Sequence, residues 1–156
     1  MGDEKLAQEN FTHATSGDSR PVAAMFYNDQ QPDQIFYQGL AWRKLGNEQK
    51  ASEIFEGLVQ YGETHINDEV KIDYFAVSLP DMLIFEDDLK ARNQIHCQFI
   101  SALGHLGQGN TEVAVRTLSD LLEIDPSHLG AVRHLKMALN PIITFERTTI
   151  NQQNEN

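Results

Sequence analysis

The sequence predicts an all-α fold, a solenoid of helical hairpins about two and a half repeats long, and three observations carry that prediction. A pattern of small residues occurs twice: Gly39, Gly46, Ala51 and Phe55 stand at intervals of 7, 5 and 4, and Ala102, Gly109, Ala114 and Leu118 stand at the same intervals. Around both copies apolar residues recur three and four apart, the period of a helix with one face in a core. In each copy a glycine precedes an asparagine, Gly46-Asn47 and Gly109-Asn110. Glycine can take the left-handed conformation that ends one helix, and asparagine can cap the next.

Taken in order, residues 1–20 include "THATSG" and read as a disordered segment or linker ahead of a helical domain over 21–140. "NDQQP" then leads into the first hairpin. Gly39, Ala41 and Ala51 fall where its two helices approach closely, and Ile54, Phe55, Leu58 and Val59 form the inner stripe of its second helix. In the later hairpin the matching positions are Ala102, Gly104 and Ala114, with Val113, Leu118, Leu121 and Leu122 as the inner stripe. "LGAVRHLKMAL", residues 129–139, reads as a C-terminal capping helix stopped by Asn140-Pro141. Residues 141–156 read as a polar tail.

Between the hairpins the reading is less regular. Gly46 and Gly109 lie 63 residues apart, whereas two full repeats of the commonest hairpin type need about 68. Residues 63–94 are therefore expected to form a degenerate or inserted middle unit: a helix from about Glu63 to Ser78, a break at Leu79-Pro80, and a second helix from about Asp81. Phe75, Leu83 and Phe85 are expected to be buried there, sealing one repeat to the next.

Charge and cysteine content exclude several classes. Twelve basic residues against 23 acidic ones give a net charge of −11, which disfavours binding to nucleic acid or to anionic membranes. No apolar run approaches the ~18 residues of a membrane span. The start, "MGDEKLAQEN", lacks the pattern of a signal peptide. The lone Cys97 allows no internal disulfide. A cytoplasmic location is the resulting expectation.

The hairpin spacing resembles the tetratricopeptide repeat, a unit of two antiparallel helices in about 34 residues. The resemblance covers residues 32–62 and 95–128, and "LEIDPSH" closes the second copy with the proline that the family places there. The first copy closes "VQYGETH", without it. The stretches "GETHINDEVKIDYFAVSLPD", "FEDDLKARNQIHC" and "LEIDPSHLGA" resemble, more closely, the C-terminal repeat region of large bacterial proteins. Those proteins carry a front domain of unknown function related to carbohydrate-active β-sandwich folds. That resemblance implies that the chain is the tail of a longer protein.

By the same resemblance, the first helices of the repeats line a concave groove. Phe36, Leu40, Arg43 and Lys44 of the first repeat would face it, with Phe99, Leu103 and Leu106 of the second and Arg133 and Met137 of the capping helix. A plainer reading of Arg43 and Lys44 is that they complement the C-terminal end of their own helix.

Chemistry is sparse. Asp81, Glu86, Asp87 and Asp88 lack the spacing and glycine of a calcium loop, and acids at 87 and 88 suit a helix start. His96 and Cys97 are adjacent, so on a helix they point about 100° apart and cannot share one metal from one face. A buried structural cysteine is the better reading. His65, Asp68, Asp73 and Tyr74 suggest an acid–base cluster but suit a solvated acidic face better. No catalytic set, metal site or cofactor is read from the sequence. The expected role is protein–protein interaction, not catalysis. The partner would be a protein or peptide segment, the chain's own front domain, or a second copy. The alternatives are an auxiliary domain that completes a carbohydrate-processing enzyme, which aromatics such as Trp42, Tyr74 and Phe75 beside paired carboxylates would favour, or a structural spacer.

Overall fold

The computed structural model describes residues 2–23, 31–69 and 89–140. Among these residues there are six α-helices and no strand: α1 (Gly2–Ala14), α2 (Pro32–Lys44), α3 (Glu48–His65), α4 (Leu89–Gln108), α5 (Thr111–Ile124) and α6 (Leu129–Leu139).

α1 corrects the expectation of a linker over 1–20. Asp3 and Glu4 stand in its first turn and His13 in its last, complementing the helix dipole. Glu, Lys, Leu, Ala and Gln in between are strong helix formers. Ala7, Phe11 and Thr15 are half-buried, four residues apart, and α1 packs against α2. The polar run that suggested disorder is the end of this helix and its exit. There the Ser16 carbonyl accepts a 2.6 Å bond from the Gln38 side chain of α2.

α2 opens with Pro32 in its first turn, where a missing N–H costs nothing. It ends at Gly46, whose φ of +80° permits the turn. The Gly46 N–H donates to Arg43 O, and the Asn47 N–H to Trp42 O. Asn47 then accepts from Lys50 N at 3.0 Å and caps α3. The second hairpin repeats the turn, with Gly109 at φ +85° and Asn110 N–H donating to His105 O. Asn110 differs in one respect: its side chain makes no cap and instead donates to Gln108 Oε1 at 3.1 Å.

Within the first hairpin a Cβ on Gly39 would stand 2.5 Å from the Phe55 ring, so glycine lets the aromatic pack directly against α2. The interface of α3 with α4 is tighter still. Gly62 of α3 meets Cys97 O and Ser101, while Gly104 of α4 meets Phe55 O and Val59, and Gly107 meets the Phe55 ring. Partner numbers fall along α4 as they rise along α3, so the two helices run antiparallel. The hairpins α2–α3 and α4–α5 therefore adjoin directly. Asn93 Nδ2 fastens the start of α4 to the end of α3, donating to His65 O at 2.8 Å and to Ile66 O at 3.3 Å.

One core runs through the hairpins and α6. Ile35, Phe36, Ala51, Phe55, Leu58, Ile100, Ala102, Leu103, Ala114, Leu118, Leu121 and Ala131 belong to it, all fully or nearly fully buried. Each large side chain among them contributes about 1.5–3 kcal/mol by leaving water. The end of α5 turns at Asp125, whose Oδ1 accepts from Ser127 N at 3.0 Å and Oγ at 2.7 Å. α6 begins and ends where the sequence places the capping helix, and Asn140 closes it through bonds to Lys136 O.

The helix expected to begin near Glu63 does not begin there. α3 continues to His65, so Glu63 lies in its last turn. Residues 89–94 of the middle unit form the start of α4, whereas residues 70–88, including Phe75, Pro80, Asp81, Leu83, Phe85, Glu86, Asp87 and Asp88, lie outside the described residues, as does the tail 141–156. No helix among the described residues is long and apolar enough to cross a membrane.

Candidate functional site

α2, α4 and α6 bring five rings together. Phe36 and Tyr37 come from α2, Phe99 from α4, His128 from the turn before α6, and His134 from α6. The His134 ring lies 5.4 Å from Phe36, 5.7 Å from Tyr37 and 5.7 Å from Phe99. His128 lies 4.7 Å from Phe99. Gly130 makes this approach possible, since a Cβ there would stand 2.7 Å from Phe99.

Hydrogen bonding fixes the state of both histidines. His134 Nδ1 is 2.7 Å from Gly130 O, and a carbonyl only accepts, so Nδ1 carries the hydrogen. Its Nε2 is buried with no hydrogen-bond partner, and the ring is wholly buried. Burial pushes the His134 pKa down, and the bond to Gly130 only partly opposes it. His128 Nδ1 accepts from Ala131 N at 3.0 Å and so caps α6.

At the rim of this cluster Tyr37 is 38% exposed, its hydroxyl pKa raised by partial burial. The ring is braced edge-on by Phe36 at 5.3 Å. Beside it the Arg133 guanidinium lies 3.7 Å from Asp33 and remains 64% exposed. Leu40 and Met137 are half-buried against the core.

The groove anticipated from the sequence is redistributed by these facts. Phe36 and Leu103 are fully buried, and Phe99 and Leu106 nearly so. A partner cannot reach them while the helices are docked, and they belong to the core. Arg43 also has a structural position. Its Nη1 donates to Gly107 O of α4 at 2.8 Å, its Nη2 pairs with Glu48 of α3 at 2.8 Å, and its guanidinium lies 4.9 Å from the Phe55 ring centroid. It therefore joins three helices. Of the anticipated residues, Lys44 and Arg133 are exposed and Leu40 and Met137 half-exposed. Tyr37, Asp33, His128 and His134 were not foreseen. The spacing of Gly130 and His134, four apart on one helix face, is the signal that could have found part of the cluster.

Other reactive groups are occupied. Cys97 is buried, its thiol pushed up to about 11 by burial, with the Asp68 carboxylate adding to the effect. A protonated thiol is a poor nucleophile. His96 turns away from it and bonds Val22 O at 2.9 Å, its pKa lowered by burial. His65 Nδ1 and Asp68 do meet, at 2.6 Å, and Tyr61 stacks on the His65 ring at 4.4 Å. Asp73 and Tyr74, read with them from the sequence, lie outside the described residues. Trp42 is half-buried against the core. Among the described residues no group of three or more His, Cys, Asp or Glu side chains is placed to hold a metal ion.

No protein-family model matches this sequence, and no solved structure matches the chain.

Proposed function

We propose that this chain is a tetratricopeptide-like interaction module that binds a protein or peptide segment on the face formed by α2, α4 and α6. The observation that carries the reading is Tyr37. An aromatic side chain braced by Phe36 and His134, with an open edge beside the Arg133–Asp33 pair, is the kind of rigid anchor that dominates protein interfaces. Half-buried Leu40 and Met137 add apolar surface next to it. The direct stacking of two helical hairpins and a closing helix supports the repeat architecture, in which a series of first helices forms an extended binding face. The front domain implied by the sequence resemblance is one candidate partner.

The test is a pull-down from cells of the source organism, read by quantitative mass spectrometry. It compares the chain with a Tyr37→Ser, Arg133→Glu double variant. Both positions are exposed enough for the variant to keep its helical circular dichroism. A partner enriched by the parent and lost from the variant is the expected result. Equal capture by both proteins contradicts this face.

A second reading, self-association at the C-terminal end, is favoured by Leu129, Leu139 and Ile124, which are 78%, 60% and 58% exposed. It predicts a dimer by light scattering that dissociates in a Leu129→Lys variant.

A further inference from the structure

We propose that α6 is an acid-labile cap, held on α2 and α4 by the buried ring of His134, which can stay there only while uncharged, and released when His134 takes up a second proton. The geometry of that ring leads to this. His134 already holds its hydrogen on Nδ1 for Gly130 O. The second proton would go to Nε2, which is buried among Phe36, Tyr37 and Phe99 without an acceptor. A buried donor without a partner is costly, and a buried charge more so.

The surrounding charges do not cancel this. Asp33 of α2 favours the charged ring of His134, its ion-pair partner Arg133 and His128 oppose it, and burial outweighs all three. Tyr37 of α2 contributes a neutral hydroxyl. Near His128 stand His96 of α4 and Asp125 of the preceding turn. The Asp125 carboxylate is already bonded to Ser127.

The direction of the pH effect follows from linkage. The folded His134 pKa is depressed below its ordinary value near 6.5. Below that value the unfolded or undocked ring binds a proton that the docked ring refuses. The docked state is therefore fully favoured above about pH 6.5 and loses ground as pH falls from there towards the folded pKa. Release of α6 would uncover Phe36 and Phe99, the apolar side chains that the docked helix covers.

Amide hydrogen exchange tests the proposal, with rates corrected for their intrinsic pH dependence. Between pH 7.5 and 5, exchange of the α6 amides should accelerate several-fold relative to those of α3. A His128→Asn, His134→Phe double variant keeps a capping oxygen and an aromatic ring but has nothing to titrate at these positions. It should lose the acceleration. Equal acceleration in α3 and α6, or acceleration that persists in the variant, overturns the proposal. Should the variant not fold, nitrogen-15 spectra of the parent decide. His134 titrating at its ordinary value without displacing α6 resonances refutes the cap, and a depressed titration that moves them supports it.

Discussion

Gly57 and Gly104 are both helical glycines, and their surroundings make opposite demands. A Cβ at Gly57 meets nothing within 4 Å, whereas one at Gly104 would stand 2.7 Å from Phe55 O and 2.8 Å from Val59 N. Gly57→Ala should stabilise the fold by up to about 1 kcal/mol through helix propensity. Gly104→Ala should destabilise it by about 1–3 kcal/mol, because backbone cannot step aside as a side chain can. Urea midpoints moving in opposite directions would confirm the contrast. Ala51 and Ala114, both fully buried, belong with Gly104: leucine at either should lower the midpoint by a similar amount. The internal repeat made Gly39, Ala51 and Ala114 legible, since each recurs at a fixed offset; it also marked Gly104, but as a contact within its own hairpin, whereas Gly104 meets Phe55 and Val59 of the other one. Gly62 and Gly107 escaped it. They serve the contact between hairpins, and a repeat describes what is common to the hairpins rather than how one meets the next. At Cys97 the expectation is chemical: a thiol-specific reagent at pH 8 should label it only after denaturation, since the buried group titrates near 11.

Among the elements, the two interhelical turns look alike in sequence and differ in what their asparagines do. Asn47 caps α3 through Lys50 N, while Asn110 bonds Gln108. Asn47→Ala should cost about 1 kcal/mol and Asn110→Ala distinctly less, a difference that paired thermal melts would resolve. Arg43 has a similar lesson. Its place at the end of α2 suggested either a dipole partner or a groove residue. Its contacts with Glu48, Phe55 and Gly107 instead make it a clasp across α2, α3 and α4. Arg43→Lys loses the forked geometry those three contacts need, so melting should fall although charge is kept. α6 was legible to the residue because its apolar run, 129–139, stops at Asn140-Pro141. α1 was not, because its apolar content is too thin to register as a stripe, and only its acids and helix formers mark it.

Across the whole molecule, packing decided what the sequence left open. The resemblance to a repeat family put Phe36, Phe99, Leu103 and Leu106 on a binding face, since they lie on the first helix of each hairpin. Among the described residues His134 of α6 meets Phe36 of α2 and Phe99 of α4, and Phe36, Phe99, Leu103 and Leu106 are all buried in the core. What remains outside on this side includes Tyr37, Lys44, Arg133 with Asp33, and the edges of Leu40 and Met137. The claim that this face receives a partner is tested most directly by hydrogen exchange of the chain free and saturated with a captured partner. Protection of α2 and α6 around Tyr37 and Arg133, with the outer sides of α3 and α5 unchanged, is the predicted result. Protection confined to α3 and α5, or to the end that bears Leu129 and Leu139, would contradict it.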